Sequence, residues 1–151
     1  MNIAENELKK EYLWRYRDIK EEMHRAELTY KELRLSFYPS GGGNTSGSRH
    51  ELNDLSETVM LIEAAEKRYL KKRYQRIKIL TEIEDSIARL DKPKERDVLT
   101  HRYILLQKWE DICNELDMSW KQVHRVHSIA LHNFEIPAAA QKKLKNFQND
   151  I

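Results

Sequence analysis

The chain has 151 residues, with 27 lysines and arginines, 25 aspartates and glutamates, and a formal net charge of +2. This balance excludes a globally basic protein, so DNA binding would have to come from local charge asymmetry. Four glycines and three prolines beside 34% charged residues indicate long helices and not sheets. Because Cys113 is the single cysteine and no apolar run is long enough for a signal peptide or membrane span, we expect a cytoplasmic protein without a membrane partner.

Heptad spacing predicts that the first segment, Asn6 to Phe37, is one long helix that packs against another helix. Its apolar residues alternate at steps of four and three, with lysine, arginine and glutamate between them. The series consists of Tyr12, Tyr16, Ile19, Met23, Ala26, Tyr30, Leu33 and Phe37. Leu8, Leu13 and Trp14 lie off this series and can widen the contact surface.

Residues 38–49 are predicted to form a flexible loop that lets the chain reverse. This stretch begins YPSGGGNTSGS, contains Pro39 and has no hydrophobic periodicity. A glycine-rich phosphate cradle is the alternative, but no lysine follows in the P-loop arrangement and no strand precedes the loop.

A second long helix is predicted from Arg49 to about Leu90. Its apolar series consists of Leu52, Leu55, Val59, Ile62, Tyr69, Leu80, Ile83, Ile87 and Leu90. Glu66, Arg73 and Arg76 interrupt the series in the middle, where Ala65, Leu70 and Ile77 are expected to take over the packing. Folding this helix back on the first predicts an antiparallel, coiled-coil-like hairpin over residues 1–90, and pairing of two such hairpins predicts a homodimer built on a four-helix bundle.

A cluster of basic residues lies in the second helix, with no acidic residue between Lys67 and Leu80. Its members are Lys67, Arg68, Lys71, Lys72, Arg73, Arg76 and Lys78. One interpretation is a solvated helix face that balances acids on the first helix. The other is a stripe that contacts phosphates or a polymerase, which would add affinity and salt dependence without sequence choice.

Residues 91–136 are predicted to form a separate helix-turn-helix domain. Because proline suits the first turn of a helix, Pro93 is expected to begin a supporting helix that runs to about Tyr103 and buries Val98, Leu99 and Tyr103. Ile112, Cys113 and Leu116 then share one face of a short amphipathic helix.

Asp117 and Ser119 carry the signal for the turn itself. Asp117 tolerates the left-handed backbone that a sharp turn requires, and Ser119 is a favoured N-cap for the helix that follows. In that second helix, at 119–134, Val123, Val126, Ile129 and Ala130 are expected to form the buried stripe, which leaves His127 outside it.

The second helix is also expected to be the recognition helix in the DNA major groove. Residues 118–134 contain no acid, whereas the preceding helix carries Glu110, Asp111 and Glu115. A helix that approaches phosphates should lack carboxylates and offer Lys, Arg, Gln and Ser to base edges. We therefore expect Lys121, Gln122 and Arg125, with Trp120 and His124 near them, to face base edges, and Ser128, Lys108 and Arg102 to lie nearer phosphates.

Two further features bear on chemistry and on the C-terminus. His124 and His127, with Cys113 or His132, raise the alternative of a zinc site, but no second clustered pair of ligands accompanies them. No catalytic residue, metal or cofactor is expected, because paired carboxylates on an apolar wall are also missing from the pattern.

Pro137 either ends the recognition helix or begins a short alanine-rich one, and residues 137–151 are expected to form a frayed basic tail.

A spread of residues between Leu90 and Leu131 carries a family resemblance. They are Pro93, the run from Glu95 to Leu99, Arg102-Tyr103, Trp109, Ile112, Leu116, Ser119, Val123, Val126 and Ala130-Leu131. The segment resembles region four of bacterial sigma factors, although Cys113 and Asp117 stand where that family commonly has alanine and glycine. The resemblance implies that Trp120, Lys121 and Arg125 fall on base-reading positions, with Trp120 in place of the usual polar residue.

The whole chain is similar in organisation to small phage regulators, the ArpU and RinA-like late-gene activators. These join an N-terminal helical part, often interrupted by a Pro/Gly/Ser loop, to a sigma-like helix-turn-helix. The resemblance implies a regulator of phage type that binds double-stranded DNA in the cytoplasm of a bacterial host cell. Two alternatives stay open: a small terminase-like packaging subunit that forms a ring, and a sigma-like module that binds RNA polymerase instead of DNA.

Overall fold

The computed structural model describes residues 2–37 and 49–149, so residues 38–48 of the predicted loop lie outside the described residues. Within the described ranges the chain is helical and forms no strand, which confirms the all-α prediction. No helix in these ranges has the length and apolar character needed to cross a bilayer. The helices are α1 (Ile3–Phe37), α2 (Arg49–Ala88), α3 (Pro93–Leu99), α4 (Trp109–Leu116), α5 (Trp120–Asn133) and α6 (Ala138–Asn149), with a π-helical turn at Thr100–Ile104.

The chain divides into two compact units, and the divisions fall inside the two long helices. One unit, here called the hairpin unit, is Ile19–Ile77, and the other, the core unit, combines the residues up to Asp18 with those from Lys78 onward. The sequence places the domain boundary near residue 90 instead. The core unit thus includes the N-terminal half of α1 and the C-terminal end of α2.

In the hairpin unit, α1 and α2 pack against each other within one chain. The rings of Tyr30 and Tyr69 stack with their centroids 6.2 Å apart, and Lys72 Nζ forms an ion pair with Glu22 at 2.9 Å. Glu22 of α1 contacts Lys72 of α2, and Tyr30, further along α1, contacts Tyr69, which comes earlier in α2. The two helices are therefore antiparallel. The Lys72 contact supports the interpretation of the basic cluster as a face that balances acids on α1.

In the middle of α2, the residues that face α1 differ from the predicted apolar series. Ala65 is buried as expected, but Leu70 and Ile77 are 47% and 56% exposed. Tyr69 makes the ring contact with α1, and successive residues of an α-helix are rotated by about 100°. Leu70 is therefore turned away from α1, and the expectation that Leu70 and Ile77 complete this seam is wrong.

In the core unit, the first turns of α1 pack into the same core as α5. Tyr12 and Leu13 are fully buried, and the Tyr12 ring lies 5.9 Å from the ring of Phe134. The Tyr12 hydroxyl donates to Glu82 Oε1 at 2.8 Å, and Arg15 pairs with the same carboxylate at 3.2 Å. Burial, followed by the Glu82 hydrogen bond, raises the pKa of Tyr12 and keeps this phenol neutral.

A buried lysine joins α1 to the end of α5. Lys9 is only 6% exposed, and its Nζ donates to the main-chain oxygen of His132 at 3.0 Å. A helix C-terminus carries unpaired carbonyls and partial negative charge, which a cation stabilises. Glu5 lies 3.6 Å from the same ammonium. Lys9 therefore caps α5 from a distant part of the chain.

The C-terminal segments of the core unit follow from local signals. Pro93 begins α3, and the buried carboxylate of Glu95 in its first turn accepts from Asn133 Nδ2 at 3.2 Å. Helix α5 ends at Asn133, before Pro137, so proline does not end it. Ala138–Asn149 forms α6, which confirms the alternative of a short alanine-rich helix after Pro137 and shows that the expectation of a frayed tail over these residues is wrong. Alanine, lysine and leucine in this stretch are strong helix formers.

Candidate nucleic-acid interface

The turn between α4 and α5 forms as its residues predict. Asp117 has φ 52° and ψ 49°, in the left-handed region that Asp and Asn tolerate better than most residues. The main-chain N–H groups of Asp117 and Met118 both donate to the carbonyl of Cys113, the latter at 3.0 Å. These bonds satisfy the last turn of α4 and direct the chain into α5.

Helix α5 begins with a complete capping box. Ser119 Oγ accepts from the Gln122 N–H at 3.2 Å, and Gln122 Oε1 accepts from the Ser119 N–H at 3.0 Å. The N-cap prediction for Ser119 is confirmed. Gln122, expected at base edges, uses its side-chain oxygen in the cap, so its Nε2 is the atom left for an outward contact.

The two faces of α5 differ sharply in burial. Its inner face consists of Val123, His127, Ala130 and Leu131. Its outer face exposes Lys121, Arg125 and Ser128, at spacings of four and three, and Gln122 beside them. Residues at such spacings lie above one another on one side of a helix. The structure therefore brings these four predicted site residues together on one exposed side.

The predicted stripe differs from the buried one at four positions. Val126 and Ile129, which were expected in the stripe, are half-buried, and His127 and Leu131, which it left out, are buried. Positions 123, 127, 130 and 131 form a regular helical stripe, so spacing alone would have found His127. The prediction instead followed residue type and chose the two aliphatic side chains.

His127 is held in the core by a phenol. Its Nε2 lies 2.8 Å from the Tyr103 hydroxyl, and the two rings stack with centroids 5.8 Å apart. Burial, with smaller contributions from Lys10, His124 and Arg102, lowers the pKa of His127 to about 4. Burial also raises the pKa of Tyr103. Both groups are therefore neutral at pH 7, and the phenol O–H can donate to the ring nitrogen.

An aromatic series leads from this buried pair to the outer face. Trp109 lies 4.7 Å from His127 and 4.6 Å from His124, measured between ring centroids. His124 in turn lies 4.6 Å from Trp120, which is 56% exposed. His124, expected near base edges, is half-buried between two tryptophans. Trp120 is the member of the series with the largest surface open to a ligand.

Arg102 is held between two tryptophan rings. Its guanidinium carbon lies 5.1 Å from the Trp14 centroid and 4.5 Å from that of Trp109. Its Nη1 donates to the carbonyl of Gln107 at 2.9 Å, and burial lowers its pKa. These contacts give Arg102 a packing role between α1 and α4, and its phosphate contact stays a prediction. Trp14 had no sequence signal for this role, because its partners lie about 90 residues away.

The loop that enters α4 is held by its own polar contacts. Leu106 adopts φ 57°, a conformation that is uncommon for residues other than glycine. Gln107 accepts at Oε1 from His101 at 2.7 Å and donates from Nε2 to Glu115 at 2.9 Å. Lys108, predicted to lie near phosphates, is the exposed N-cap residue of α4.

An open groove lies between the start of α3 and α5. It encloses about 590 Å³, and Val126 and Ile129 form its apolar floor. Lys92, Lys94 and Arg125 are the basic residues of its lining. The groove explains why the two aliphatic side chains are only half-buried, since α3 covers α5 incompletely there.

No metal site accompanies the histidines. Across the described residues, no group of three or more His, Cys, Asp or Glu side chains is arranged to hold a metal ion.

Comparison with protein-family models, with curated proteins and with solved structures found no significant match to this chain.

Proposed function

We propose that the chain is a sequence-specific regulator of transcription, of phage type, that binds double-stranded DNA as a dimer. In this proposal α4 and α5 act as a helix-turn-helix and α5 lies in the major groove. The supporting observation is the acid-free outer face of α5, where Lys121, Arg125 and Ser128 are exposed in one row. A row of cationic and hydroxyl side chains matches the acceptors that base edges and phosphates present in that groove.

The rigidity of α5 supports the same proposal. The capping box fixes its first turn, and the Lys9 ammonium caps its last. The helix has 14 residues and is about 21 Å long. An α-helix with its side chains is about 10 to 12 Å across, which fits a major groove about 12 Å wide. A helix held at both ends presents its side chains without a large ordering cost on binding.

Each side chain has a distinct role in this proposal. Arg125 donates in bidentate fashion to a guanine, and Lys121 contacts a neighbouring base edge. Trp120 packs against a thymine methyl or a sugar edge, because its exposed ring has no charge to offer a phosphate. Ser128 and Lys108 contact phosphates on either side.

Fluorescence anisotropy with fragments of the source genome and random DNA of equal length tests the proposal. Arg125→Ala should weaken binding to the selected fragment by about 1 to 3 kcal/mol, roughly 5- to 150-fold, and leave binding to random DNA nearly unchanged. Arg89→Ala is the matched control, since Arg89 is an exposed arginine of the core unit outside α5.

Salt titration separates the phosphate contacts from the base contacts. Lys108→Ala should weaken binding to all sequences alike and reduce the slope of log affinity against log salt by about one. An equal loss on both DNAs for Arg125→Ala would overturn its base-reading role. Absence of DNA binding would direct the next assay to RNA polymerase, and a ring-shaped oligomer would favour a packaging subunit.

A further inference from the structure

Helix α2 carries a second apolar face in the hairpin unit, separate from its contact with α1. Val59, Leu70, Tyr74 and Ile77 are 39%, 47%, 66% and 56% exposed. At about 100° per residue these four side chains lie within about 60° of one another around α2. Tyr69 and Lys72 contact α1. Around the axis of α2 these two residues lie about 100° or more from Leu70, so Leu70 points away from α1. Large exposed apolar faces of this kind mark sites of association.

Charged residues on this face are sorted by sign along the helix. Glu63 and Glu66 lie in its N-terminal half, and Arg73 lies in its C-terminal half. Glu63 and Arg73 are both exposed, and the charge of Arg73 also reaches Glu27 of α1, whose pKa it helps to lower. With the apolar residues they form a heptad series at steps of four and three, the spacing of a coiled-coil seam. The series is Val59, Glu63, Glu66, Leu70, Arg73 and Ile77.

We propose that this face binds the same face of a second copy of the chain, with the two α2 helices antiparallel about a two-fold axis near residue 68. This inference rests on the dimer of the proposed function and specifies its interface. In that register Val59 packs on Ile77 of the second copy, and Glu63 forms an ion pair with Arg73. Two-fold symmetry repeats each contact, so the face is complementary to itself. A parallel pair would set Glu63 against Glu63 and Arg73 against Arg73, which like-charge repulsion disfavours.

The same arrangement accounts for two further exposed residues. Met60 and Tyr74, 65% and 66% exposed, lie on the same flank of the seam. The two-fold axis keeps this flank on one side of both helices, so Met60 comes alongside Tyr74 of the second copy. Glu66 faces Leu70 beside the axis, and a polar residue within a seam selects register at some cost in stability.

Sedimentation equilibrium on the full chain, without DNA, tests the interface. The wild type should be a dimer, and Glu63→Arg and Arg73→Glu should each weaken dimerisation at least tenfold. Mixing the two variants in equal amounts should restore a dimer, since each then supplies the charge that the other needs. Glu57→Arg is the matched control, because Glu57 is an exposed α2 glutamate off this face and its reversal should leave the dimer intact.

Disulfide cross-linking tests the direction of the pair, in a Cys113→Ser background. Val59→Cys mixed with Ile77→Cys should give a cross-linked heterodimer under mild oxidation, and neither variant alone should cross-link efficiently. Self-cross-linking of Val59→Cys would overturn the antiparallel register. Variants that remain dimeric would overturn this interface alone, whereas a monomeric wild type or a ring would overturn both the interface and the dimer of the proposed function. Because no arm uses DNA, these failures are distinct from failure of the proposed DNA binding.

Discussion

The Tyr103 hydroxyl lies 2.8 Å from Nε2 of His127, and both side chains are buried where α5 meets the π-helical turn. Protonation of His127 would remove the lone pair that accepts from the phenol and would place a charge in the core. The low pKa of His127, about 4, expresses this cost. The packing of α5 in the core therefore depends on pH through the protonation of His127.

Stability should fall as the pH is lowered from about 6.5 to about 4. Within this window the unfolded chain protonates His127 and the folded chain does not, so protons favour unfolding. The expected loss is about 3 kcal/mol across the window, with no further loss from this residue at lower pH. Urea denaturation at several pH values measures it.

His127→Gln should remove most of this pH dependence, although it should also lower stability at pH 7. His132→Gln is the control, because His132 is an exposed histidine of the same helix. If the free energies of unfolding of wild type and His127→Gln differed by the same amount at every pH, His127 would have the same pKa in the folded and the unfolded chain, and the explanation would fail.

Lys9 should stabilise the core unit through its bond to the end of α5. Lys9→Met keeps much of the side-chain volume and leaves the His132 carbonyl without this donor, which should cost about 1 to 3 kcal/mol in urea denaturation. At pH 7, where His127 is neutral, Lys10→Met should change stability by less than about 0.5 kcal/mol, since Lys10 forms a surface ion pair with Glu7 at 2.8 Å. Equal effects of the two substitutions would refute the capping role.

Asp117 should respond to substitution according to its left-handed backbone. Asp117→Gly should raise the free energy of unfolding by about 0.5 to 1 kcal/mol, whereas Asp117→Val should lower it by about 1 to 2 kcal/mol. Thermal denaturation at pH 7 compares the two variants. Asp111→Gly, within α4, should be destabilising instead, because glycine is a poor helix former. If Asp117→Gly and Asp111→Gly changed the free energy of unfolding in the same direction, this explanation would be contradicted.

The sequence predicts the parts of the site that local chemistry determines. The left-handed conformation of Asp117 and the N-cap at Ser119 depend on residues within about five positions, and both are confirmed. Heptad spacing likewise predicts two long helices that pack antiparallel. These features require no knowledge of the distant chain.

Features that depend on distant partners escaped prediction. His127 is buried because Tyr103 and Trp109 surround it, and its polar character argued against burial. Lys9 reads as one more exposed lysine of α1, since nothing near it in sequence reveals the His132 carbonyl. In the same way, Leu70 is apolar and close to the seam, yet the helical rotation turns it outward.

The bond between Lys9 and His132 joins positions separated by 123 residues. Contacts of such sequence separation slow folding, because the intervening chain must be closed into a loop before they form. During synthesis, α1 emerges from the ribosome before α5 but cannot complete its packing until Phe134 has followed. The core unit thus reaches its native state only after translation has passed α5, and a nascent chain halted earlier would expose the apolar face of α1 to the cell.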